Sequence, residues 1–242
     1  MTRIYHISDV HFGAEDGVAL RWFEEAVASD PPDAIILTGD LTFRARTREF
    51  SAASDWIRKL NLPVVIGPGN HDLPYFNPIA RIAAPYARFK AIQSQFARPL
   101  ALDGVSIVPL DTTAHFQWRV NWAAGRVRSS RLQRAVSEVT AMGNSNVVLV
   151  ACHHPLIEID PAEHVGTRRG ATALKALALA GADAVISGHI HNPFDVKREV
   201  AGRCIRLIGA GTLSERIRGT PPSFNDIRIE AGTLTNVARR LV

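Results

Sequence analysis

The chain has 242 residues, 46% apolar and 21% charged. These proportions exclude a disordered or collagen-like polymer, and the length suits one large α/β unit better than a disulfide-stapled miniature. A net charge of +5, most of it arginine, points to an anionic partner without separating a small phosphoester from nucleic acid.

Short apolar runs alternate with helical patterns along the chain, the signature of βαβ units. Residues Arg3 to Ser8 predict a first strand, Asp16 to Ser29 a helix, and Asp33 to Thr38 a second, continuously apolar strand. A helix from about Thr47 comes next, with Phe50, Ala53, Ile57 and Leu60 recurring on one face. Pro63 to Ile66 is a third strand, and residues 78–97 are helical but broken near Pro85, which cannot continue a regular helix. The second half resumes with a strand from Val105 to Leu110 and a helix from Ser130 to Met142. The strand Val147 to Ala151, a helix over 171–180 and the strand Asp183 to Ser187 come next. Runs at 194–200, 203–208, 223–230 and 233–241 are separated only by turn residues, which predicts antiparallel strands closing the fold. No repeat, low-complexity segment or linker interrupts the pattern, so residues 1–242 read as one domain.

No apolar run reaches the ~18 to 20 residues of a membrane span. The opening residues Met1 to Asp9 lack the apolar stretch of a secretory signal, and the expected location is the cytoplasm. Cys152 and Cys204 each lie in an apolar run, which predicts two buried thiols and no disulfide.

The chemistry lies at the ends of the strands. The first runs into Asp9-Val10-His11, the second into Gly39-Asp40 and the third into Gly69-Asn70-His71-Asp72. The Val147 strand runs into His153-His154-Pro155, and the Asp183 strand into Gly188-His189-Ile190-His191. Ligands bind at the C-terminal edge of parallel α/β sheets, so if these strands share one sheet their polar ends converge. Six of the nine histidines fall in these stretches, and a set of imidazole, carboxylate and amide oxygen suits manganese, iron or zinc better than calcium. Alone, each motif reads as a turn or a packed core pair. Together, in order and at strand ends, they read as one site.

This set of motifs resembles the five-motif signature of the calcineurin-like metallophosphoesterases, over residues 3 to about 230. Within that superfamily the chain is most similar to the bacterial class III cyclic-nucleotide phosphodiesterases. The resemblance implies an α/β fold, a four-layer α/β/β/α sandwich of two mixed β-sheets. It also implies two transition-metal ions (Mn²⁺, Fe²⁺/Fe³⁺ or Zn²⁺). One would be held by Asp9, His11, Asp40 and His191, the other by Asp40, Asn70, His153 and His189, with Asp40 shared. A metal-bridging hydroxide would be the nucleophile toward a small phosphodiester. His71 would act as general acid or as a stabiliser of the phosphoryl oxygens, and Asp72 would orient its imidazole. Asn70, His71 and His154 are the expected substrate contacts.

The remaining candidates read more simply. His6 is mid-strand and reads as a hydrogen-bonded core histidine, while His115 and His164 read as surface residues. Trp118 and Trp122 flank the basic stretch Arg119 to Arg134, and either core packing or a wall of the site would account for them. Arg216 and Arg218, after Gly211-Thr212, fall at the rim of the same edge. Arg44, Arg46, Arg48, Arg168 and Arg169 come after motif residues and either clamp a second phosphate or form a solvated face. A nucleotide or lipid-precursor pyrophosphatase and a phosphomonoesterase are the alternatives. A nuclease is less favoured, because no added nucleic-acid-binding module is visible. The oligomeric state is left open, with a homodimer among the options.

Overall fold

The computed structural model describes residues 1–74, 77–98, 100–114, 123–143, 146–159 and 166–242. His115, Trp118, Arg119, Trp122 and His164 lie outside them. The first sheet takes β1 (Thr2–Ile7), β2 (Ala34–Leu37), β3 (Val64–Ile66), β9 (Ser223–Glu230) and β10 (Thr233–Arg240), in the order β10-β9-β1-β2-β3. The second takes β4 (Val105–Pro109), β5 (Val147–Ala151), β6 (Ala184–Ser187), β7 (Phe194–Val200) and β8 (Arg203–Gly209), in the order β4-β5-β6-β8-β7. The helices are α1 (Gly17–Ser29), α2 (Thr47–Leu60), α3 (Pro78–Ala83), α4 (Ala87–Phe96), α5 (Ser129–Met142) and α6 (Gly170–Ala180). Pro85 falls between α3 and α4, where the sequence breaks the helix.

Side chains alternate across each strand, and the alternation separates three cores. On β1 and β2, Tyr5, Ile7, Ile35 and Leu37 pack with Phe23 of α1, Trp56 and Ile57 of α2 and Phe89 of α4. On the second sheet, Val148, Val150, Val185 and Leu207 pack with Leu132 and Val139 of α5 and Leu174 and Leu177 of α6. Between the sheets, Ile4, Ile36 and Ile227 meet Leu149, Ile186 and Ile208. The layers are therefore α/β/β/α, as the resemblance implied.

Both sheets are mixed. β1, β2 and β3 run parallel, with β9 antiparallel to β1 and β10 antiparallel to β9. β4, β5, β6 and β8 run parallel, and β7 returns antiparallel to β8. The late strands thus split between the sheets instead of closing one, and β8 pairs parallel with β6. Where the sheets face each other, buried His6 bonds Thr38 Oγ1 at 2.9 Å and Asn225 at 3.2 Å, and Asn225 reaches the Gly209 carbonyl of the opposite sheet at 3.0 Å. His6 is the satisfied core histidine that the sequence suggests. Cys152 is buried, its thiol pushed up to about 12 by burial, but Cys204 is exposed. The alternation that puts Ile205 inside turns Cys204 outward, which corrects the expectation of two buried thiols. Among the described residues no helix is long and apolar enough to cross a membrane.

Candidate metal centre

The ligand-type residues come from the C-terminal ends of strands in both sheets, so convergence does not require one shared sheet. β1 and β2 deliver Asp9, His11 and Asp40, and the short 3-10 turn Asn70–Asp72 comes after β3. β5 and β6 of the other sheet deliver His153, His189 and His191 across the interface. The chain reaches these positions through unusual backbone. Asp9, His11, Asp40, His189 and His191 all have φ between 51° and 72°, a left-handed region that non-glycine residues rarely occupy and that clusters at functional sites. The neighbouring loops hold it in place. The Asp9 and His11 amides donate to the carbonyls of Gly39 and Asp40, and Thr212 Oγ1 donates to the Asp9 carbonyl at 2.6 Å.

Hydrogen bonds fix which ring nitrogens face inward. The carbonyls of Thr42, Thr38 and Arg216 accept from Nδ1 of His11, His153 and His191 respectively. A carbonyl only accepts, so each neutral ring carries its lone pair on Nε2. Those lone pairs converge: Nε2 of His11 and Nε2 of His191 are 3.3 Å apart, and His153 Nε2 lies 3.1 Å from Asn70 Oδ1 and 3.3 Å from Asp40 Oδ2. Asp9 Oδ1 is buried without a hydrogen bond although His191 Nε2 is 3.1 Å away. Acceptors facing acceptors in a buried space call for positive charge between them, from a proton or a cation.

The charges agree. Burial opposes ionisation of Asp40, yet His153 and His71 hold it well below the usual carboxylate range. Burial likewise opposes protonation of His153, but Asp40 and then Asp9 outweigh it and lift the ring to about 9. This corner therefore demands positive charge, which a metal ion supplies in place of the proton. Burial lowers His11 to about 4 and, with His153, lowers His189 to about 3. Ionised carboxylates and neutral imidazoles are the forms that bind metals. Asp9, His11 and His191 form one compact group and Asp9, Asp40 and His153 another, while His189 groups with His153 and His154. Asp40 Oδ2 lies between the two halves, 3.3 Å from His153 Nε2 and 3.8 Å from His11 Nε2. The residues fit a pair of cations.

Two expected roles need revision. Asp72 does not touch the His71 ring. Its carboxylate accepts from the amides of Leu41, Thr42 and Gly69 and from Thr42 Oγ1, because it caps the turn carrying Asn70. Burial and the Asp40 charge push Asp72 up to about 7 against those amides. The His71 imidazole is instead oriented by the Phe43 carbonyl, 2.7 Å from Nδ1, and its amide donates to Asp40 Oδ1 at 2.8 Å. His154 is fully buried with Nδ1 2.9 Å from Thr112 Oγ1 and Nε2 2.8 Å from the Ala123 carbonyl, so both nitrogens are occupied by the protein. This leaves it no free nitrogen for substrate. Of the two readings of the arginine clusters, their exposure agrees with the solvated face: Arg46 pairs with Glu49, Arg169 bonds Ser129, and Arg44 lies over the Phe43 ring at 4.8 Å. Phe43, with its carbonyl on His71 and its ring stacked at 5.8 Å from that imidazole, is a site residue that no sequence signal marks. A cavity of about 460 Å³ opens between β3 and β4, lined by Thr38, Gly67, Tyr86, Lys90, Arg131 and His153. Of the seven ligand-type residues it reaches only His153, so it is a lateral cleft behind the centre.

Known proteins resemble this chain in sequence and in fold. A probable cyclic nucleotide phosphodiesterase from Synechococcus sp. is 26% identical over 203 residues, covering 79% of this chain and 74% of that one. Another so described, from Pseudoalteromonas sp., is 26% identical over 207 residues, covering 79% and 72%. The crystal structure of a dimetal phosphatase from Danio rerio matches with a TM-score of 0.73 at 13% identity, covering 99% of this chain and 96% of that one, a likeness of fold. The model of the calcineurin-like phosphoesterase family matches residues 2–193; the chain belongs to that family and is a hydrolase acting on phosphoesters.

Proposed function

We propose that the chain is a dinuclear metal-dependent phosphodiesterase acting on a small diester, with a cyclic nucleotide as the leading candidate. The observation that carries this reading is the position of Asp40 Oδ2 between the His11 and His153 nitrogens, which suits a carboxylate shared by two ions. Asp9, His11, Asp40 and His191 would hold one metal, and Asp40, Asn70, His153 and His189 the other. Manganese, iron or zinc fits this donor set. When bound, such ions supply a water of lowered pKa and positive charge toward the phosphoryl oxygens.

The chain's own residues do the rest. The Phe43 carbonyl accepts from Nδ1 of His71 and leaves Nε2 as the atom that faces the site; with both nitrogens protonated, Nε2 would give its proton to the departing alkoxide and leave the ring neutral. Asp72 is a positioning residue that holds the Asn70 turn against the loop after β2. His154 supports its neighbours His153 and His189, whose ring centres lie 4.7 and 4.5 Å from its own. The diester preference draws on the names of the two relatives and on the neutral donors, which leave a surplus positive charge suited to a monoanion. Tight ground-state binding of a monoester dianion would not raise turnover. The test is kcat/KM for bis-p-nitrophenyl phosphate, p-nitrophenyl phosphate, a cyclic nucleotide and a pyrophosphate under the same manganese. Higher values for the diesters are expected, and a clear monoester or pyrophosphate preference would refute the assignment.

A further inference from the structure

Arg216 stands in the loop between β8 and β9 and enters the site from a side that no family motif covers. Its backbone is pinned on both flanks: its carbonyl accepts from His191 Nδ1, and its amide donates to Ser214 Oγ at 3.3 Å. Its guanidinium lies over the Phe43 ring at 5.3 Å, a contact that orients the planar group. From there Nη1 reaches 3.2 Å from His71 Nε2 and 3.3 Å from His11 Nε2. No carboxylate pairs with this guanidinium among the described residues, although the side chain is only partly exposed. Among the other half-buried arginines, Arg131 pairs with Asp111 and Arg206 with Asp195.

We propose, on the reading of the site as a phosphoesterase centre, that Arg216 binds a non-bridging phosphoryl oxygen of the substrate beside His71. The acceptors it now meets are imidazole nitrogens, one of which belongs to the metal-ligand set. Once that lone pair is directed to a cation, Nη1 has lost an acceptor and faces the space where the phosphoryl group sits. A phosphoryl oxygen restores the bond in charge-assisted form, shorter and stronger than the contact it replaces. An arginine whose only role was to fill the site would leave anion binding untouched.

Titrating inorganic phosphate calorimetrically into the manganese-loaded protein tests this without turnover. Metal content is measured in parallel. Arg216→Ala is expected to weaken phosphate binding about tenfold or more with manganese content unchanged. Arg216→Lys should fall between the two, because it keeps the charge and loses the fork. Arg58→Ala, which removes the same charge from an exposed pair on α2, should bind as wild type. Equal phosphate affinity in wild type and Arg216→Ala would overturn the proposal, as would a loss of manganese large enough to account for the weakening. A monoester or pyrophosphate preference would refute the diesterase reading and leave the assignment of Arg216 standing.

Discussion

Asp40 combines three demands on one side chain: a left-handed backbone, a fully ionised carboxylate and contact with both halves of the centre. Its φ is 51°, its Oδ1 accepts from the His71 amide, and its Oδ2 faces His153. Asp40→Ala is therefore expected to lose more metal than substitution of any other ligand-type residue, measured as ions per chain after dialysis. Retention of wild-type metal would remove Asp40 from the shared position. His71 makes a contrasting prediction, because its ring faces the site without belonging to the ligand set. His71→Ala should keep its metal and lose activity, more for substrates with alkoxide leaving groups than for p-nitrophenyl esters, whose leaving group needs little protonation. Equal losses would assign His71 to the phosphoryl oxygens alone. At this scale the seven ligand-type residues were legible, because Asp, Asn and His at strand ends are conspicuous in an apolar sequence. The orienting partners were not. The pairing of His71 with Asp72 rested on adjacency, whereas the ring is held by a carbonyl 28 residues away, and a backbone carbonyl leaves no mark in a side-chain pattern.

At the scale of elements, the strand ends function only because glycines let neighbouring loops approach. A Cβ on Gly188 would lie 1.8 Å from Ser8 Oγ and 2.5 Å from Asp9 Oδ2, and one on Gly69 would lie 2.1 Å from Asp40 Oδ1. These contacts join β6 to β1 across the two sheets and β3 to β2 within one. Gly188→Ala is expected to fold, with an unchanged circular dichroism spectrum, and to weaken manganese binding about tenfold or more by displacing Asp9. Unchanged affinity would show that the loop relaxes without moving the carboxylate. The strands and helices themselves were readable to within a residue or two, since period-2 and period-3.6 patterns are clean here and Pro85 marks a true break. Partner choice among the last four strands was not readable. β8 runs parallel to β6 while β9 crosses to the other sheet, and nothing local in a strand says which edge it will join.

At the scale of the whole molecule, two sheets must keep their edges in register for the centre to exist. One sheet is tied at its far side by a cluster around Asp226, whose carboxylate meets Arg3, Arg228 and Arg239 at 2.6–3.2 Å. Burial pushes Asp226 up, but Arg3 and Arg228 outweigh it and hold the carboxyl well below the usual range. A depressed folded pKa gives stability that is fully present above the unfolded value of about 4 and is lost as pH falls through the lower folded value. Asp226→Asn should thus cost about 3 kcal/mol near pH 7 by leaving Arg3 partly unpaired, and its gap to wild type in denaturant unfolding should close under acid. A gap that persists at low pH would point to packing rather than charge. The reading of residues 1–242 as one domain predicts a single cooperative transition in the same experiment. The proposed mechanism depends on two cations sharing Asp40. Metal content and hydrolysis of bis-p-nitrophenyl phosphate, measured in one sample through chelation and manganese return, probe that dependence most directly. About two ions per chain, activity abolished on stripping and restored by manganese are expected; full activity in metal-free protein would contradict it.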